Sequence, residues 1–132
     1  MYDSRALRGT AGIQLMVRFA EEYGVAVATC LRGSDIGAGA LADPHEEVEA
    51  WQELMVVRNL MVAVGDAPGF GLRTGARYRI TTLGMVGVAM MTSPTARVAV
   101  EAGLRYLDLS STLCEIGVEE TAAGCRITLD DR

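Results

Sequence analysis

CEIGVEETAAGCRITL, Cys114 to Leu129, sets the fold class, because its apolar residues recur at every second position while those before it recur every third or fourth. Cys114, Ile116 and Val118 face one way, and Cys125, Ile127 and Leu129 join them across a turn within Thr121 to Gly124. That pattern is a β-hairpin. Setting Val118 opposite Ile127 places Glu119 opposite Arg126 on the polar face, and this favourable cross-strand pair selects the register. The same register leaves Cys114 and Cys125 several residues out of alignment, which opposes a disulfide between them. A two-stranded hairpin is marginal by itself, and Asp130, Asp131 and Arg132 offer no further strand. Either the hairpin packs on helices, or it belongs to a small sheet whose other strands lie beyond residue 132.

Moving back along the chain, the period becomes helical. Ser93 and Pro94 form a cap and first-turn signal for a helix to about Leu109. Arg97, Glu101 and Arg105 occupy its exposed side, with Val98, Ala102, Tyr106 and Leu109 as the inward stripe. Leu83 to Met91 is nearly all apolar but too short to cross a bilayer, so it reads as a buried central helix. Gly84 and Gly87, one turn apart there, permit close backbone approach. Before it, a short helix over Phe70 to Arg77 follows a break at Gly65, Asp66, Pro68 and Gly69.

From His45 to Val64 the pattern predicts a long helix, with Asp43 as cap, Pro44 in the first turn and Glu46 completing a capping box. Its apolar face is Val48, Trp51, Leu54, Met55, Met61 and Val62, opposite Glu49, Gln52, Glu53 and Asn59. On a helical wheel of about 100° per residue, Arg58 falls between Trp51 and Leu54 on the apolar side, where it needs a partner, a route to water or a bound anion. Ala11 to Tyr23 is a further helix stopped by Gly24. A short helix over Val25 to Leu31 and a glycine-rich loop through Gly33, Ser34, Gly37 and Gly39 follow. The expected fold is α+β, mainly helical with a C-terminal β-hairpin, in one domain across residues 1–132.

Half of the 132 residues are apolar, enough for a core. Seventeen acidic against twelve basic side chains give a net charge of −5, and the arginines are scattered, with one local concentration at Arg73, Arg77 and Arg79. Such a surface repels a phosphate backbone, so this stretch is not expected to bind DNA itself. No apolar run approaches the length of a membrane span, which predicts a cytoplasmic location. The spacing of Cys30, Cys114 and Cys125 is not that of a zinc site, and reduced, mostly buried thiols are expected.

Catalytic chemistry is not expected either. The single histidine, His45, lies in a polar helix start, and Gly69, Gly71 and Gly75 lack the spacing of a phosphate-binding fingerprint. Glu46, Glu47, Glu49 and Glu53 complement a helix dipole rather than form an acid–base pair. No nucleophile with a base, no metal set and no cofactor motif can be assembled. Polar groups suited to a binding pocket are Arg58, Arg73 and Tyr78, with Met55, Met61, Met85 and Met90 as adaptable lining. An anionic or amphiphilic small molecule suits that set.

Two further segments carry a resemblance. GDAPGFGLRTG (Gly65 to Gly75) and LGMVGVAMMTSPTARVAVEAGLRYLDL (Leu83 to Leu109) together resemble the N-terminal, arabinose-binding-like domain of AraC/XylS-type transcription regulators. The match is carried by Gly71, Leu72, Gly75, Gly84, Gly87, Ser93, Pro94 and Thr95, residues with ready structural roles in turns, caps and close contacts. The resemblance implies an effector-sensing or dimerising regulatory domain, a homodimer, and DNA contact only through a separate helix-turn-helix domain absent from these 132 residues. It also implies that the sensor continues past Arg132. Arabinose itself is not implied, since the arabinose regulator's own sensor is strand-rich.

Overall fold

A computed structural model describes residues 4–65, 67–106, 114–122 and 124–130. Asp66, Leu109, Asp131, Arg132 and the turn position 123, all used in the sequence reading, lie outside them. The fold is α+β: six helices and two antiparallel strand pairs among the described residues.

The first strand pair was not foreseen. β1 (Leu7–Gly9) runs antiparallel to β2 (Glu47–Glu49), with Arg8 opposite Val48. The seam continues as Ala50 N–H donates to the Ala6 carbonyl and Trp51 N–H to that of Ser4, each at 3.0 Å. Residues 47–49 were expected to be helical. Their backbone groups are engaged across the strand pair, and the helix α3 (Ala50–Val64) starts only after them. Its capping box is Glu49 with Gln52, whose Oε1 accepts from Glu49 N–H at 2.8 Å. Asp43 closes a local turn instead, accepting from His45 N–H at 2.8 Å.

The buried face of α3 is also different from the expected one. Ala50, Glu53, Val56 and Leu60 are buried, while Met61 and Val62 are exposed. The reason is Arg8, whose Nη1 lies 3.1 Å from Glu53 Oε2, with both side chains buried. A carboxylate with such a partner can face inward, and it turns the helix accordingly.

α1 (Ala11–Glu21) buries Ile13, Val17 and Ala20, the stripe its periodicity predicts, with Met16 and Phe19 widening it, whereas Leu15, expected beside them, is half-buried. The buried residues pack with Val56 and Leu60 of α3, with Cys30 of the short α2 (Val27–Cys30), and with Val25, Leu31, Ile36 and Val48. The 3₁₀ turn Ala40–Ala42 adds Ala40 and Leu41 at the edge of this cluster. α4 (Phe70–Gly75) docks through Phe70, whose ring stacks on Phe19 while both meet Tyr23 edge-on, each pair with centroids 5.2 Å apart. Arg77, just beyond α4, clasps both carboxylate oxygens of Glu22 at 2.7 Å.

Beyond residue 75 the burial drops. A 3₁₀ turn (Ile80–Leu83) leads into α5 (Gly84–Met91), expected to be a buried central helix, yet only Gly87 of it is buried and Met85 is 81% exposed. A helix apolar on every side needs neighbours on every side to be buried, and here the 80–83 turn and α6 (Ala96–Arg105) cover only part of it. The cap of α6 is Thr95, whose Oγ1 accepts from Val98 N–H, while the hydroxyl of Ser93 turns back to Ala89 O at 2.8 Å. Val98 and Tyr106, read as inward, are exposed; Gly103 faces inward against Met90.

The hairpin β3 (Glu115–Thr121) and β4 (Gly124–Asp130) has the expected register, Val118 opposite Ile127 and Glu119 opposite Arg126, the latter ion-paired at 3.1 Å. It is tied to α6 by Arg97, whose Nη1 is 2.6 Å from Glu120 Oε1. Ile127 and Leu129 are exposed. Cys30 is buried, Cys114 half-buried and Cys125 exposed, so burial of the thiols is not general.

The Arg8–Glu53 pair predicts a cycle of stabilities. Arg8→Met alone or Glu53→Met alone should lower the urea-unfolding free energy by about 3–5 kcal/mol, because one buried charge loses its partner. The double variant should recover most of the loss. Single variants within about 1 kcal/mol of the parent would show that the pair does not hold the seam.

Candidate functional site

β1 and the start of α1 form one wall of a cavity of about 330 Å³, and the segment Tyr78 to Val86 forms the other. Its polar groups are Arg8, Tyr78 and Thr82, and its apolar lining includes Pro44, Leu83, Met85 and Val86. The guanidinium of Arg8 is placed there by β1 and held from behind by Glu53. Tyr78 is half-buried and its hydroxyl points to the Gly12 carbonyl at 3.4 Å. Burial, with the nearby charge of Glu53, pushes its phenol above the usual tyrosine range, so it is a neutral donor at physiological pH. Thr82 Oγ1 accepts from Arg79 N–H at 3.2 Å.

Two glycines shape this wall. At Gly87 an added Cβ would lie 1.9 Å from the Ile80 carbonyl oxygen, so α5 can approach the 80–83 turn only through a residue without a side chain. Gly84 has φ +56° and ψ −131°, a conformation left to glycine. By contrast, Gly71 and Gly75 lie in α4 at ordinary φ with open space at the Cβ position, and Leu72 is exposed.

Of the residues singled out from the sequence, Tyr78, Met85 and Gly84 meet at this cavity. Arg58 and Met55 line a different one of about 300 Å³ on the outer side of α3, beside Arg32, Asn59 and Val62. Arg58 is exposed, not held in the apolar face. Arg73 is engaged elsewhere: its Nε donates to the Tyr23 hydroxyl at 2.8 Å and its Nη1 to the Pro68 carbonyl at 2.7 Å. Met61 is half-exposed on α3, and Met90 packs on Gly103. Pro94 links α5 to α6 beside the Thr95 cap. The sequence reading missed Arg8 because its partner, Glu53, is 45 residues away and no local period marks a three-residue strand.

Chemically, the cavity brings together Arg8, one phenol and one hydroxyl over an apolar wall, and its lining includes no nucleophile paired with a base. Among the described residues no group of three metal-ligating side chains comes together, and no helix is long and apolar enough to cross a membrane.

Comparison with known proteins places the chain among transcription regulators. The chain is 33% identical over 117 residues to an uncharacterized HTH-type transcriptional regulator of Mycobacterium tuberculosis and equally to one of Mycobacterium bovis. The match covers 89% of this chain and 34% of each relative, so the chain spans about a third of the length of these regulators. Residues 24–132 match the family described as the arabinose-binding domain of AraC transcription regulators, N-terminal. The chain belongs to that family, which is a domain of transcription regulators and not a class of enzymes.

The glycines give opposite predictions. Gly87→Ala should destabilise by about 1–3 kcal/mol or more, since backbone must move to admit the methyl group. Gly71→Ala should be neutral or stabilise by up to about 1 kcal/mol, as alanine fits the open space at ordinary φ and loses less backbone entropy than glycine. Thermal unfolding of both variants measures the contrast, and equal effects would refute the packing described for α5.

Proposed function

We propose that this chain is the effector-binding regulatory domain of an AraC-type regulator, acting in the cytoplasm as one domain by binding and not by catalysis. In this reading it senses a small molecule in the cavity between β1 and the Tyr78–Val86 segment and passes occupancy to a helix-turn-helix domain elsewhere in the regulator. The observation that carries the reading is the convergence of Arg8, Tyr78 and Met85 on one cavity whose wall is shaped by Gly84 and Gly87 of the family-like segment. A volume of about 330 Å³ falls at the lower end of small-ligand pockets.

The lining also indicates the effector. With the charge of Arg8 balanced by Glu53, the two hydroxyls beside it suit a single polar head such as a carboxyl group, and the apolar wall suits an uncharged body of modest size. We therefore favour a small amphiphilic acid. DNA contact is assigned to the separate domain, because this chain carries a net charge of −5.

Thermal shift with a panel of aromatic and medium-chain carboxylates tests this. A binder present at about a hundred times its Kd should stabilise the fold by about 2.7 kcal/mol. Met85→Glu, at a largely exposed position, should abolish the shift without loss of the helical circular-dichroism signal. A panel that yields no shift, or a shift that survives Met85→Glu, would overturn the assignment to this cavity.

A further inference from the structure

The concentration of arginines noted at positions 73, 77 and 79 is not used by the cavity above. In the structure its members part. Arg73 turns toward Tyr23 and Pro68, whereas Arg77 and Arg79 join Arg18 of α1 around a larger open cleft of about 830 Å³. Gln14, Thr81 and Thr82 contribute polar groups to the same cleft. Thr82 also lines the smaller cavity, so the 80–83 turn separates the two.

The charge balance of this cleft is unlike that of the chain. Three guanidiniums face one carboxylate, that of Glu22, leaving two positive charges in excess on a protein with net charge −5. Glu22 is committed to Arg77 by its two oxygens at 2.7 Å, and Arg77 is further fixed over the Phe19 ring at 4.7 Å. Arg18 and Arg79 are exposed and form no ion pair among the described residues. Two unneutralised guanidiniums on one cleft repel each other, and an anion between them removes that repulsion while accepting forked N–H donors from both.

We propose that the cleft between α1 and the 77–82 segment is a second binding site, specific for small polyanions: a phosphate monoester or a di- or tricarboxylate. Arg18 and Arg79 make the direct ionic contacts, Arg77 is the fixed positive wall, and Gln14, Thr81 and Thr82 supply neutral hydrogen-bonding groups. Its charged groups are distinct from those of the amphiphile cavity, but Ala11 and Thr82 line both, so the two sites are neighbours.

Isothermal titration of the whole chain with inorganic pyrophosphate and with citrate tests this, using sodium chloride at matched ionic strength as the control. Saturable one-to-one binding is expected with both anions. Arg18→Gln and Arg79→Gln should each weaken it at least about fivefold, corresponding to loss of a charge-assisted contact. Arg79→Lys should retain part of the affinity, and Arg126→Gln, on the hairpin outside the cleft, should leave it unchanged. Since all these positions are exposed, circular dichroism should show each variant folded. A short DNA duplex in the same titration separates the two sources of phosphate, and no saturable binding to it is expected. Three results would overturn the proposal: a response to chloride equal to that of the polyanions, affinity unaffected by both glutamine variants, or binding of the duplex without binding of either small anion.

Discussion

The ion pair between Arg8 and Glu53 is the constraint on which the arrangement of the first seventy residues depends. It joins a three-residue strand to the middle of the assembly, and neither charge could be buried there alone. With the pair in place, Glu53 faces inward, α3 presents Val56 and Leu60 to α1, and Glu47 to Glu49 are drawn out of the helix into the strand pair. The same guanidinium forms part of the cavity wall. Fold and candidate site therefore share one charge.

The sequence was legible where structure is local. The α1 stripe, the stop at Gly24 and the hairpin register all follow from residues within a few positions of one another, and the structure has them. It misled where a distant partner intervened. The wheel for α3 set Glu53 on the polar side, and its partner Arg8, 45 residues away, brings it inward. The cap signal at Asp43 was real hydrogen-bond chemistry, but it closed a turn seven residues before the helix. At Ser93, Pro94 and Thr95 two hydroxyls competed for one cap, and spacing alone did not show that Thr95 takes it. For the candidate site, Tyr78 and Met85 were visible as residue types, whereas Arg8 could not be found by any local pattern.

Burial is uneven along the chain in a way that bears on how it works. The buried apolar cluster runs from Ile13 to Phe70, while α5 and α6 contribute close approaches at Gly87, to the Ile80 carbonyl, and at Gly103, to the Met90 side chain. Met85, Val88, Met91, Ile127 and Leu129 remain open to solvent. The residues that carry the family resemblance lie largely in this less buried half. A wall built on such elements can shift at small energetic cost.

Trp51, the chain's single tryptophan, sits where the strand pair meets α3, its backbone N–H on the Ser4 carbonyl and its indole N–H on the Glu49 carboxylate. That placement makes its intrinsic emission a local optical gauge. Opening of the β1–β2 seam would remove the indole's carboxylate neighbour and alter the signal, whereas fraying of the distant hairpin would leave it dark to the observer. Fluorescence thus watches the seam while far-ultraviolet dichroism watches the helices of the whole molecule, and a lag between them would resolve whether the seam opens before the helices unwind.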